Sequence, residues 1–268
     1  MSEIPKVIHY CWFGRNPLPD KAVKCIESWK KFFPDYEIKE WNEDNFDVTI
    51  IQYTKQAYEA KKYAFVSDYA RFWILYNYGG LYFDTDVEII RSMDDIVTKG
   101  PFMGCEKPYV EGATPNFLGV APGLGFGVNP GLGLIKEILE EYENFSFINT
   151  DGSFNLITIV EYTTNILCKH GLKNTPGIQL VAGCYIYPSD YFSPKNVDTR
   201  ELIITENTRS IHHYDASWAS KASKKSGKRA PKLKKIFGSK MGGIINGIVF
   251  WIQEYGVIGS FKKIIGRM

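Results

Sequence analysis

Residues 65–88 read FVSDYARFWILYNYGGLYFDTDVE, and this stretch decides the fold. Phe65 to Tyr78 is a run of apolar and aromatic residues, long enough for about three to four helical turns. Gly79-Gly80 stops it, because glycine takes the left-handed conformation that helix C-termini favour. Leu81-Tyr82-Phe83 has the bulky content of a buried strand, and Asp84-Thr85-Asp86 follows where that strand leaves the core. On the helix, Asp68 and Arg71 are three apart and share a face. In an extended continuation of the strand, Asp84 and Asp86 share a face as well. Carboxylates at the rim of a core are costly unless compensated, and a divalent cation is one compensation. Oxygen donors suit Mg²⁺ and Mn²⁺, which keep waters and bridge to substrate phosphates.

Working outward, Ile4 to Phe13 reads as a first strand stopped at Gly14-Arg15-Asn16-Pro17, with Trp12 at its C-terminal end. Asp20 to Phe33 is an amphipathic helix and Tyr36 to Trp41 a second strand; Ile50 to Ala64 is a further helix. The progression strand, helix, strand, helices, carboxylate-bearing strand predicts an α/β protein with a mainly parallel sheet and helices on both faces. Ligands bind at the carboxyl edge of such sheets. Beyond it, Phe102 to Gly104 and Gly125 to Val128 read as short strands, and Gly131 to Tyr142 and Asn155 to Lys169 as helices. The Gly- and Pro-rich residues 112–131 lack a phosphate-loop spacing and read as turns beside a cleft.

An Asp-x-Asp triplet alone is weak, and a solvated turn is its commoner meaning. SDYAR, then GG, then LYFDTD is far more specific. The stretch resembles the Asp-x-Asp core of nucleotide-sugar glycosyltransferases of the GT-A (Rossmann-like) type, and most of all glycosyltransferase family 32. The glucosylating domains of large clostridial toxins share the pattern more distantly. The opening Ile-Pro-Lys-Val-Ile-His resembles the start of family 32 members, and Ser210 to Trp218 (SIHHYDASW) resembles their C-terminal His-His-Trp-x-Gly-Ser-Trp, departing from it at Tyr214 and Ala216.

The resemblance implies a retaining transfer of a hexose from a nucleotide sugar, a UDP-sugar favoured, to a saccharide acceptor. It implies Mn²⁺ (or Mg²⁺) held by Asp86 with Asp84, and a C-terminal imidazole completing the shell. Only one of His212 and His213 can point inward from an extended segment; the reading leans to His212 and leaves the choice open. It further implies that Asp84 touches ribose or sugar hydroxyls, that Arg71 contacts the donor and that Asp68 fixes sugar hydroxyls. Trp12 would stack on the base, with Tyr82, Ser217 and Trp218 lining the pocket. For Trp12, a core position weighs equally.

The 268 residues, 44% of them hydrophobic, suffice for one large domain with an appendage. Five scattered cysteines fit reduced thiols better than a disulfide framework. Neither a signal peptide nor an anchor opens the sequence, whereas Golgi members of the family carry one. The expectation is therefore a bacterial cytoplasmic enzyme of capsule, exopolysaccharide or O-antigen synthesis, peripheral at the inner face of the plasma membrane.

Residues 221–268 carry 12 Lys/Arg against one acid, Glu254, leaving 20 bases and 29 acids in the rest. The expected organisation is a catalytic domain over 1–220 and a tail over 221–268, a basic linker followed by an apolar segment. Its longest uncharged run, Met241 to Gln253, is too short to span a bilayer. Basic charge beside interfacial apolar residues suits an anionic membrane and a lipid-linked acceptor. Nucleic acid is disfavoured, because stacking aromatics are not interleaved with the charge. Two competing activities share the motif: a nucleotide-sugar hydrolase, which would release sugar without acceptor, and a toxin-like protein glycosyltransferase, which would label a protein in lysate.

Overall fold

The computed structural model describes residues 3–196, 201–215 and 221–265. The chain begins with β1 (Val7–Cys11), α1 (Asp20–Phe32), β2 (Glu37–Trp41), α2 (Gln52–Glu59), α3 (Tyr63–Tyr78) and β3 (Gly80–Tyr82). It continues with β4 (Val87–Ile89), α4 (Asp94–Val97), β5 (Phe102–Cys105), β6 (Val120–Ala121), β7 (Phe126–Val128), α5 (Gly133–Glu143) and α6 (Ile159–Lys169). Then come β8 (Gln179–Val181), β9 (Cys184–Tyr187), α7 (Ser189–Phe192), β10 (Ser210–His212) and α8 (Lys221–Ile265). Two compact units result, one formed by the described residues up to Tyr214, the other by those from Asp215 onward.

In the first unit an eight-stranded sheet runs β2-β1-β3-β7-β5-β9-β8, with β6 beside β5. β1, β2, β3, β5 and β9 point one way, and β6, β7 and β8 the other. The expected α/β architecture with a mainly parallel sheet holds. Side chains alternate across it. Ile8, Tyr10, Leu81 and Phe83 enter one apolar cluster with Ile26 and Trp29 of α1. Cys11, Tyr82, Met103 and Phe126 enter another with Phe72, Leu75, Ile138 and Ile166 of α3, α5 and α6. Helices therefore cover both faces, and each large side chain so buried contributes about 1.5–3 kcal/mol.

The glycine pair works as expected. Gly79, at φ 65°, ends α3 with its N–H on Leu75 O at 2.9 Å. Gly80 lies so close to β1 that an added Cβ would sit 2.6 Å from Val7 O. His9 of β1 staples this junction. Its Nε2 donates to Gly79 O at 3.0 Å, and its Nδ1 accepts from the Trp41 indole of β2 at 3.0 Å. Burial, with the Lys39 charge, pushes its pKa down to about 4, so the ring is neutral at pH 7.

Two expectations are corrected. Asp84 and Asp86 do not share one face of a strand: β3 ends at Tyr82, and Val87 N–H closes a turn onto Asp84 O at 3.0 Å. Nor is the basic stretch from Lys221 a linker. It is helical, as part of α8, whose path is broken at Gly238 (φ 76°) and Gly256 (φ 71°). Lys and Ala are good helix formers, and the first segment has a helical partner to pack on.

Candidate active site

The carboxyl ends of β1, β3 and β5 bring Trp12, Asp84 and Glu106 to one edge of the sheet. Arg71 reaches this edge from α3 and is buried. Its Nη2 lies 2.8 Å from Asp68 Oδ1, its Nη1 3.3 Å from Asp84 Oδ1, and its Nε donates to Ser67 O at 3.2 Å. The guanidinium also sits 4.8 Å from the centre of the Tyr82 ring, whose hydroxyl donates to Asp84 Oδ1 at 3.3 Å. Burial pushes Asp68 up to about 7; the Arg71 charge opposes this and the Asp84 charge adds to it. For Arg71, the opposing charges of Asp84 and Asp68 outweigh burial and hold it firmly cationic.

Asp86, two residues on, faces a different partner. β10 pairs antiparallel with β4, placing His212 opposite Val87. His212 Nε2 then lies 3.0 Å from Asp86 Oδ1. Burial would depress this imidazolium, but the hydrogen bond and charge of Asp86, with Asp84 and Glu106, outweigh it and the pKa is raised. The His212 Nδ1 is buried with no hydrogen-bond partner. His213 points elsewhere, its Nε2 2.9 Å from Glu88 Oε2, while its backbone N–H donates to Asp86 O at 3.0 Å.

Residues 19–103 match the family model described as "Glycosyltransferase sugar-binding region containing DXD motif". That stretch, with Asp84 and Asp86 inside it, is similar to the DXD region of glycosyltransferases. The chain is similar to inositol phosphoceramide mannosyltransferase 3 of Schizosaccharomyces pombe, 32% identical over 133 residues that cover 47% of this chain and 35% of that protein. Inositol phosphoceramide mannosyltransferase 1 of the same organism is 28% identical over 114 residues, 38% of this chain and 34% of that one. An uncharacterised glycosyltransferase of Acanthamoeba polyphaga mimivirus is 24% identical over 204 residues, covering 72% and 76%. The chain thus spans about a third of the length of the two mannosyltransferases. Among solved structures, PaToxG glycosyltransferase overlays at TM-score 0.44 and 19% identity, covering 62% of this chain and 69% of that one, a likeness too distant to bear on function.

Of the residues expected at this DXD site, Asp68, Arg71, Tyr82 and Asp84 form one connected group, and Asp86 joins His212. Trp12 is half-buried at the end of β1, its indole donating to Asn16 O at 2.6 Å. Ser217 and Trp218 lie outside the described residues.

Two members of the site escape a reading of sequence. Glu106 follows β5 as Asp84 follows β3; burial raises its pKa, while the nearby His212 and Lys107 charges oppose. Gly123, between β6 and β7, accepts the Asp84 backbone N–H at 3.0 Å. A Cβ there would lie 2.7 Å from Asp84 Cγ and 2.9 Å from Arg71 Nη1. The Gly- and Pro-rich composition of residues 112–131 was the only signal for it.

Proposed function

We propose that the protein is a metal-dependent, retaining glycosyltransferase that moves a hexose from a nucleoside diphosphate sugar to a saccharide acceptor carried on lipid. The observation that carries this reading is the group Asp68–Arg71–Asp84 beside the pair Asp86–His212 at the carboxyl edge of the sheet. Arg71, enclosed and shared between two carboxylates, is a positioning residue that sets Asp84 at a fixed angle. Asp84 stays partly open and can accept from ribose or sugar hydroxyls. Trp12 offers an apolar ring for the base.

The donor set of Asp86, Asp84 and His212 suits Mn²⁺ or Mg²⁺ in chemistry, the imidazole presenting to Asp86 Oδ1 its Nε2 at 3.0 Å. Among the described residues, no three His, Cys, Asp or Glu side chains form a ready cage. Such ions commonly complete their shells with water and substrate phosphate. When bound, the ion neutralises charge on the departing diphosphate. None of the side chains brought together here is assigned as a nucleophile, which fits a front-side displacement in which the departing phosphate takes the acceptor proton. Two relatives named as inositol phosphoceramide mannosyltransferases support a lipid-borne acceptor and add a mannosyl group to the hexoses worth testing.

The test is a thermal-shift panel of UDP- and GDP-sugars with Mn²⁺ or EDTA. Wild type would be compared with Asp86→Ala, His212→Ala and His213→Ala. A donor at about a hundredfold excess over its Kd stabilises the folded state by about 2.7 kcal/mol. The expected result is a Mn²⁺-dependent shift with one nucleotide class, lost in Asp86→Ala and His212→Ala but kept in His213→Ala. No shift with any donor would refute the reading.

A further inference from the structure

Gly238 breaks α8 with a non-helical φ/ψ of 76° and 164°, and the segments on either side, 221–237 and 239–255, pack back on each other. Arg229 Nε donates to Asn246 Oδ1 at 2.9 Å and its Nη1 to Gln253 Oε1 at 3.3 Å; Asn246 Nδ2 donates to Ser226 Oγ at 2.8 Å. Gly242 is pressed onto the opposite backbone, where an added Cβ would lie 2.6 Å from Leu233 O and Lys234 N. Contacts 226 to 246, 229 to 246 and 253, and 233 to 242 define an antiparallel helical hairpin with a polar inner seam.

Its outer face has the opposite character. At about 100° per residue, Met241, Ile244, Ile248 and Ile252 form one stripe, roughly a third of a turn from the seam. Each is between 41% and 56% exposed, and at the corner Ile236 is 70% and Phe237 50% exposed. A shallow recess there is lined by Phe237, Gly238, Lys240, Met241 and Ile244. Residues 221–237 carry eight Lys/Arg and no acid, and Lys225, Lys232, Lys234 and Lys235 are exposed. A continuous apolar stripe left in water marks a surface meant to be covered. No helix among the described residues is long and apolar enough to cross a membrane.

We propose that this hairpin docks the protein on an anionic lipid bilayer. The stripe, with Ile236 and Phe237, enters the headgroup boundary, and the lysines pair with lipid phosphates. Charge selects this occupant. A seam between two copies would bring two sets of eight cations together, whereas an anionic surface attracts each of them. Apolar insertion and basic charge are the two signals that stable peripheral binding needs. The inner seam keeps Arg229 and Asn246 satisfied away from the lipid. The proposal stands whether or not the transfer reaction is as inferred above.

The experiment is sedimentation of the full-length protein with vesicles of phosphatidylcholine alone, or with about one third phosphatidylglycerol, at low and high salt. Binding to the anionic vesicles should exceed binding to the neutral ones by about tenfold or more and weaken with salt. Ile244→Asp/Ile248→Asp should lose that binding, and so should Lys232→Glu/Lys234→Glu/Lys235→Glu, a change confined to exposed side chains that leaves the hairpin contacts intact. Helix content by circular dichroism should stay that of wild type in the lysine variant. Equal binding of wild type and either variant, or no binding by wild type, would overturn the proposal. A concentration-dependent dimer in sedimentation velocity, abolished by Ile244→Asp/Ile248→Asp and without vesicle binding, would assign the stripe to a second copy and overturn it too.

Discussion

Replacing Gly123 by alanine tests whether the loop between β6 and β7 sets the position of Asp84. Gly123 is not among the residues of positive φ, so alanine meets no backbone strain there. The whole effect must come from its methyl group, placed 2.7 Å from Asp84 Cγ and 2.9 Å from Arg71 Nη1. Asp84 cannot yield freely, because Arg71 and Tyr82 hold its carboxylate and Gly123 O holds its N–H. Such overpacking costs about 1–3 kcal/mol. A shift of about 1 Å in a substrate-positioning group costs on the order of a hundredfold in turnover. Urea denaturation of wild type, Gly123→Ala, Asp84→Ala and the double variant separates the cause. With the carboxylate gone, only the closer approach to Arg71 remains, so the alanine penalty should shrink, giving a coupling of about 1 kcal/mol or more. The same penalty in both backgrounds would refute the reasoning, as would a Gly123→Ala protein with unaltered stability and donor response.

His9 should make the fold acid-sensitive. Its folded pKa of about 4 lies below the ordinary 6.5, so between those values the unfolded chain binds the proton first; stability is full above about pH 6.5 and declines as pH falls toward 4. The decline attributable to this ring is about 3 kcal/mol. Urea unfolding at pH 7 and pH 4.5 measures it, and a His9→Leu protein with an undiminished pH slope would contradict the assignment. Arg71→Met should cost about 3–5 kcal/mol, because Asp68 and Asp84 lose the cation that compensates them. A loss under about 1 kcal/mol in chemical denaturation would show that the carboxylates are compensated by other groups.

Much of the frame was legible because its causes are local. The apolar run into Gly79-Gly80 and the bulky Leu81-Tyr82-Phe83 specify helix, stop and buried strand within 20 residues. The spacing of Asp68 and Arg71 on α3 places them on one face whatever surrounds them. The turn at Asp84 was not legible, since its N–H is taken by Gly123 O, 39 residues away. Likewise Glu106 and Gly123 join the site only once β3 pairs with β7, and β7 with β5.

His212 was distinguished from His213 by the pairing of β10 with β4, which sends alternate side chains to Asp86 and Glu88. The basic stretch from Lys221 read as a linker because few apolar residues mark a face, and a helical partner held by Arg229 and Asn246 made it half of a hairpin. Periodicity, turn chemistry and the order of elements act between near neighbours, so the sequence by itself determined the α/β class and the carboxylate-bearing helix–strand unit. Which carboxylate meets which cation, imidazole or backbone amide depends on strands brought together from distant parts of the chain, and only the tertiary structure decided that.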